Sequence, residues 1–275
     1  MKEENHLLLA FFYLGGDVIL ALLANLSAFT FAFQYQIRRV DTFVLLLSVF
    51  GIYLLDRSYD ALKERSDAKT RRGAFFIKKV SYTIPLGIFA LSLALVLALL
   101  TNDTKFLLGG IFIGFLVGSY LILHLFFPFS LFPKEILIAL LYCMGVSYPV
   151  IFFRPLQTLT EVLVYTMFFL SILVEVILLS LEDFQWDRKY QQMTLVLAWG
   201  QKKSKLILIS LLVLGLLLAL YVSTLDGVQK KVGIGYAVYF STLAFLPRFL
   251  NAYPSDVRKI ILELSYLPFL VYYFL

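Results

Sequence analysis

Residues 51–73 read GIYLLDRSYDALKERSDAKTRRG. An apolar run ends here on Asp56 and Asp60, spaced by four, and a cluster of Lys and Arg follows. Residues four apart share a helix face, so both carboxylates can address one ligand. The pattern returns once, at 182–189, as EDFQWDRK with Asp183 and Asp187. Two acidic pairs, each leaving an apolar helix at its end, read as two parts of a single split site.

The rest of the chain supplies the frame. It is 61% hydrophobic and only 15% charged, with a mean hydropathy of +0.87, whereas a soluble protein carries roughly a quarter charged residues. The apolar excess runs over the whole length, which predicts a polytopic membrane protein. Nine apolar segments stand out, at about 7–33, 42–56, 76–100, 107–127, 136–153, 159–181, 205–225, 232–250 and 260–274. Each must be helical, because lipid offers the backbone no hydrogen-bond partner. The expected fold is therefore all-α, with nine transmembrane helices in a single bundle around a central cavity. One domain covers 1–275, with pseudo-halves of about 1–128 and 129–275. The first run, after MKEENH, is longer than a signal-peptide core and is read as a span. The lone Cys143 leaves no intrachain disulfide.

Charge sets the orientation. With the amino terminus in the cytoplasm, that terminus and the loops after spans two, four, six and eight hold 18 of the 24 Lys and Arg residues. The other side holds Arg38, Arg39, Lys105, Arg154, Lys230 and Lys231. This bias follows the positive-inside rule. It places both acidic pairs at the cytoplasmic face of the cell's inner or plasma membrane, in long loops expected over about 57–75 and 182–204. Basic residues confined to short inter-span loops do not make a nucleic-acid surface.

Four carboxylates beside basic residues at a membrane surface suit a divalent cation with an anionic ligand. Mg²⁺ typically binds through one or two carboxylates plus ligand phosphates. Asp56, Asp60, Asp183 and Asp187 are the candidate metal ligands and catalytic residues. Arg57, Lys63, Arg65, Arg188 and Lys189 are candidates for the phosphate oxygens, arginine being suited to bidentate contact. Such a site stabilises a departing diphosphate. The plainer reading is that these charges only anchor span ends at the interface.

Asp17, Asn25 and Glu175 fall inside expected spans, where a charge costs about 2.5–3.5 kcal/mol on insertion scales, so they should face the bundle interior. Glu175 precedes Asp183 by eight residues, about 12 Å along one helix. It is a candidate for lining a cavity above the metal site; the alternative is a structural interhelical hydrogen bond. Aromatic side chains are abundant, with 27 Phe and 17 Tyr. Most belong to the lipid face or an interfacial belt, but Tyr53 and Tyr59 lie near enough to the first pair to present a ring face to a cation.

Around these residues the sequence resembles the UbiA superfamily of intramembrane prenyltransferases. That family carries Asn-x-x-x-Asp-x-x-x-Asp after its second helix and Asp-x-x-x-Asp after its sixth. The first signature is read here on Ile52, Asp56 and Asp60. The second is read on DFQWDRKYQQMTLVLAWG at 183–200, with Asp187, Arg188, Thr194, Leu195 and Gly200 in the family's places. Between them KEILIALLYCMGVSYP, 134–149, resembles the fifth-helix region through Lys134, Glu135, Gly145 and Pro149. Ile52 replaces the family's Asn, Gln191 and Val196 replace a usual glycine and proline, and ILHLFFPFS at 122–130 lacks the usual basic pair. The resemblance implies transfer of a polyprenyl group from its diphosphate to an acceptor in the membrane. Mg²⁺ would be shared by the four aspartates, with Arg57, Arg65 and Arg188 on the diphosphate oxygens. The implied partners are an isoprenoid diphosphate, an unidentified acceptor and membrane lipids, with no nucleic acid. A catalytically inactive UbiA-like membrane protein with a lipid-binding or structural role stays open beside it. A transporter would leave both acidic motifs unexplained.

Overall fold

Because a lipid-immersed backbone must satisfy its own amides, the long apolar runs close into helices. The computed structural model describes residues 6–64, 70–101, 104–126, 133–190, 194–250 and 252–274, and all regular structure among them is helical. In chain order come α1 (His6–Tyr13), α2 (Gly16–Ala32), α3 (Arg39–Glu64), α4 (Arg71–Thr101) and α5 (Thr104–Phe126). They are followed by α6 (Lys134–Ile151), α7 (Leu159–Lys189), α8 (Leu195–Ser223), α9 (Val228–Leu250) and α10 (Ser255–Leu264). A 3-10 helix at Leu267–Tyr273 closes the chain. Among the described residues, α4, α5, α6, α7 and α8 are long and apolar enough to cross a membrane. The protein is an integral membrane protein of the polytopic kind.

Two helices form the centre. α2 is apolar nearly all round and is packed by α3, α6, α7, α9, α10 and the 3-10 helix, as a fully buried helix should be. α7 buries Phe168, Ile172, Val174 and Ile177 against it and its neighbours. The start of α7 is fixed locally. Thr158 Oγ1 accepts from the Glu161 amide at 3.2 Å, while Glu161 Oε2 accepts from the Thr158 amide at 3.2 Å, a reciprocal capping box. Arg154 then holds Glu161 Oε1 at 2.9 Å. A hairpin of α3 and α4 stands beside this centre, drawn together by two glycines. A Cβ on Gly51 would lie 2.9 Å from the Gly87 carbonyl oxygen, and one on Gly87 would lie 3.2 Å from that of Gly51. This is the close backbone approach that small residues permit between membrane helices. α5 packs mainly on α6 and makes little close contact with α4.

Three expectations are corrected. The first run, 7–33, is two helices: Gly15 adopts a left-handed φ of 94° that ends α1 and starts α2, a conformation open to glycine. The last run, 260–274, is likewise split, because α10 begins earlier at Ser255 and gives way to the 3-10 helix. The acidic pairs do not sit in long loops. α3 runs on to Glu64 and α7 to Lys189, since a helix need not stop at the edge of the hydrocarbon, and α8 resumes at Leu195 with a kink at Gly200.

Candidate functional site

Helix periodicity puts Tyr53, Asp56, Arg57 and Asp60 on one face of α3, and all four line a polar cavity of about 280 Å³. From the other side α7 presents Ser180, Asp183 and Asp187 to the same space. α6 adds Lys134 at its first turn, α4 adds Arg72, α5 adds Tyr120, and α10 adds Asp256, Lys259 and Glu263. Two acidic pairs far apart in sequence thus face one cavity.

Each aspartate meets a cation of the chain. Arg57 Nη1 lies 3.3 Å from Asp60 Oδ2 and its Nη2 3.8 Å from Asp56 Oδ2. Lys259 Nζ lies 2.6 Å from Asp183 Oδ2, and Lys134 Nζ lies 3.7 Å from Asp187 Oδ1. The second oxygen of Asp187, Oδ2, is buried with no hydrogen-bond partner among the described residues. A buried carboxylate oxygen without a donor is costly, and a divalent cation in the cavity would satisfy it. Among the described residues no three acidic, His or Cys side chains converge closely enough to hold a metal by themselves. A cation such as Mg²⁺ held here would need the rest of its oxygen shell from a ligand or water.

The neighbouring backbone explains why these side chains stand where they do. Glu135, wholly buried, accepts from the Leu195 amide at 2.8 Å. Thr194 caps the same helix start, its Oγ1 accepting from the Leu197 amide at 3.1 Å. The start of α8 is thereby tied to the start of α6, next to the Lys134–Asp187 contact. On α10, Arg258 holds Glu182 Oε2 at 2.5 Å and Asp256 accepts from the Arg71 amide at 2.9 Å. α10 is thus clamped over the cavity to both α7 and α4.

A second, apolar cavity of about 510 Å³ adjoins the first. Tyr53, Asp56, Arg57, Tyr120 and Ile138 line both. It extends between α3, α4, α5 and α6 and includes Ile52, the residue that departs from the resembled motif.

Of the other expected residues, Arg188 and Lys189 are exposed and turned away from the cavity. Neither is among the residues that line the polar cavity. Lys189 instead stands over the rings of Trp186 and Tyr190. Arg65 and the side chain of Lys63 lie outside the described residues. Tyr59 does not line either cavity. Asn25 is buried behind the apolar cavity, donating to the Tyr142 hydroxyl at 3.4 Å, and Tyr142 is the lining residue. Glu175 is buried near Glu263, Tyr266 and Asp17, and lines neither cavity. Asp17 is wholly buried against Arg72, which also donates to the Phe12 carbonyl.

Lys259 and Glu263 were missed as site residues. Their signal is present in SDVRKIILEL, where Asp256, Lys259 and Glu263 recur at helical spacing on one face. Arg72 and Lys134 were visible as charges, but nothing local distinguishes them from interfacial anchors.

No protein family's profile matches the sequence, and no curated protein sequence matches it. Among solved structures, a UbiA homologue from Archaeoglobus fulgidus bound to GPP and Mg²⁺ is 16% identical with a TM-score of 0.69, over 96% of this chain and 97% of that one. A UbiA homologue from Aeropyrum pernix K1 in its apo state is 13% identical, with a TM-score of 0.59 over 93% and 98%. A digeranylgeranylglyceryl phosphate synthase is 19% identical, with a TM-score of 0.53 over 92% of each chain. At such identities the likeness carries the fold, and the fold is that of the UbiA homologues.

Proposed function

We propose that this chain, which carries the UbiA fold, is an intramembrane prenyltransferase that uses Mg²⁺ to release a polyprenyl group from its diphosphate and passes it to a small or lipidic acceptor. One observation carries the reading: both acidic pairs open on one polar cavity, and an apolar cavity adjoins it at Tyr53 and Tyr120, which line both. A ligand with a charged head and a hydrocarbon tail suits that pair of cavities. If α1 with α2, and α10 with the 3-10 helix, are each counted as one span, the described helices group into nine, of which five are long and apolar enough to cross a membrane. The Lys and Arg bias puts the polar cavity at the cytoplasmic face.

Asp56, Asp60, Asp183 and Asp187 would hold Mg²⁺, which neutralises charge on the departing diphosphate. Arg57, Lys134 and Lys259 supply positive charge from three helices, and Arg72, paired with Asp17, adds a fourth from α4. Each of the first three is paired to a carboxylate here and would turn to phosphate oxygens when the anion enters. The rings of Tyr53 and Tyr120 stand where head meets tail and can face a developing allylic cation. The apolar walls keep water from that carbon.

The competing reading is a lipid-binding or structural protein without catalysis. Ile52, and a set of aspartates already matched by internal cations, favour it. Titration of the purified protein with geranylgeranyl diphosphate, with and without Mg²⁺, tests the proposal. Binding is expected to strengthen at least tenfold with Mg²⁺ and to lose that gain in the variant Asp183→Asn/Asp187→Asn. Equal affinity under all conditions refutes the metal–diphosphate site. Mg²⁺-dependent binding with no release of diphosphate in the presence of candidate acceptors favours the non-catalytic reading.

A further inference from the structure

We infer that Glu175 and Glu263 form an intramembrane proton site behind the acidic pairs. Glu175 holds a proton, and Glu263, on the cavity wall, takes up the one that an acceptor loses on prenylation. The role of Glu263 rests on the prenyl-transfer reading; the proton on Glu175 stands without it.

The place is a buried acidic cluster with too few cations. Glu175 lies in the middle of α7, 5% exposed, and its Oε1 has no hydrogen-bond partner among the described residues. The groups that face it are Glu263 and Tyr266 at the end of α10 and the turn after it, Asp17 on α2, Tyr142 on α6 and Tyr239 on α9. None of them is a cation. The rings of Tyr239 and Tyr266 stack at 4.5 Å between centroids, and their buried hydroxyls, beside Glu175, close no hydrogen bond among the described residues. Glu263 faces Asp17, Tyr53 and Tyr142 as well as Arg57, Arg72 and Lys259. Each of those cations is already held by an aspartate: Arg57 by Asp60 and Asp56, Arg72 by Asp17, and Lys259 by Asp183. A carboxyl buried in a membrane bundle without a counter-charge is costly to ionise. A structural hydrogen bond between helices would engage Glu175 Oε1, which is left open. A metal ion is a poor fit, since no three acidic, His or Cys side chains converge among the described residues. A proton suits Glu175.

Position gives the pair a direction. Glu175 lines neither cavity, but its neighbour Val176 lines the polar one. Glu263 lines the polar cavity one turn beyond Lys259, on the same face of α10. The contacts of Arg258 with Glu182 and of Asp256 with the Arg71 amide hold α10 in place, and with it Glu263. Of two acids in unlike surroundings, the one beside cations ionises first. Glu263 is then the carboxylate and Glu175 the acid. When an acceptor X–H attacks the prenyl carbon, the carbon–oxygen bond to diphosphate breaks and its electron pair leaves with the diphosphate. The X–C bond forms, the X–H bond breaks, and the proton passes to the Glu263 carboxylate. Both glutamates are then neutral, which removes an uncompensated charge from the centre of the bundle. The proton returns to water through the polar cavity once the diphosphate departs.

Infrared spectroscopy of the purified full chain in nanodiscs tests the proton on Glu175. At about pH 8 ordinary carboxyl groups, which titrate near about 4, are ionised. A protonated-carboxyl band that moves on exchange into heavy water is expected, lost in Glu175→Gln and kept in Glu263→Gln. Carboxyl-labelled glutamate should shift the band in the unaltered chain, a check that needs no variant to fold. No band, a band unmoved by the label, or one abolished by Na⁺ at constant pH overturns the proton site. Calorimetry in two buffers of different ionisation heat tests Glu263, by counting protons taken up as geranylgeranyl diphosphate binds at saturating Mg²⁺. The incoming anion draws a proton onto Glu263, so the unaltered chain should take up about one proton more than Glu263→Gln or Glu263→Ala. Equal counts overturn Glu263 as proton acceptor while leaving Mg²⁺-dependent diphosphate binding intact. Absence of that binding in the unaltered chain overturns the prenyl-transfer reading and the role of Glu263 with it, and the infrared band still decides Glu175.

Discussion

Lys259→Ala separates the two roles a cation can play beside these aspartates. Lys259 Nζ lies 2.6 Å from Asp183 Oδ2, with the two side chains 22% and 24% exposed. A charge-assisted hydrogen bond contributes about 1.5–3 kcal/mol. Solvent reaches both partners here, which lowers the figure to about 1–2 kcal/mol. Removing the ammonium frees Asp183 from that partner, so Mn²⁺ alone should bind about 5- to 30-fold more tightly. The same change takes a positive contact from the diphosphate, whose affinity at saturating Mg²⁺ should fall by a similar factor. The two affinities thus move in opposite directions. Mn²⁺ binding can be followed by the loss of the free-ion paramagnetic resonance signal, and diphosphate binding by displacement titration. Lys259→Arg keeps the charge and should move both only slightly. If Lys259 serves solely to tie α10 to α7, both affinities fall together or neither changes, and the reasoning fails.

Other perturbations test the frame around the site. Arg72→Ala leaves the wholly buried Asp17 without its cation and should cost about 3–5 kcal/mol of stability. Asp17→Asn in the same background should restore most of it, read as thermal unfolding in detergent. Gly51→Val drives a side chain into Leu91 and the Gly87 carbonyl and should cost about 1–3 kcal/mol by overpacking. An unchanged melting temperature would contradict the close α3–α4 crossing. Thr158→Ala removes half of the α7 capping box and should cost about 1 kcal/mol, measurable by the same unfolding assay.

Much of the architecture is legible in the amino-acid sequence because one constraint, the unpaired backbone in lipid, acts on every apolar run alike. What hydropathy cannot encode is where a run bends. Leu14 and Gly15 read as more apolar sequence, and only the left-handed φ at Gly15 separates α1 from α2. Nor can it show where a helix outlasts the hydrocarbon, which is why Asp56 and Asp183 lie within α3 and α7 and not in loops.

The site divides in the same way. The carboxylates were legible because each pair is local, four residues apart on one face. Of their cations only Arg57, a sequence neighbour of the first pair, was legible; Lys134 and Lys259 come from helices brought in by tertiary packing, while Arg188 and Lys189 do not line the cavity. Proximity in sequence is a good guide to a helix face and a poor one to a charge partner across a cavity. The first signature shows the consequence. Ile52 stands one turn before Asp56 on the wall of the apolar cavity, so an isoleucine where the resembled motif has asparagine puts an apolar side chain on that wall next to Asp56. The positive charge facing the acidic pairs comes from Arg57 on α3, Lys134 on α6 and Lys259 on α10. The ion pairs of Lys134 and Lys259, more than Ile52, are therefore where the catalytic and non-catalytic readings part. If those cations stay on Asp187 and Asp183 when diphosphate and Mg²⁺ are present, the cavity is a self-neutralised structural site; if they leave, it is a binding site, and release of diphosphate then decides catalysis.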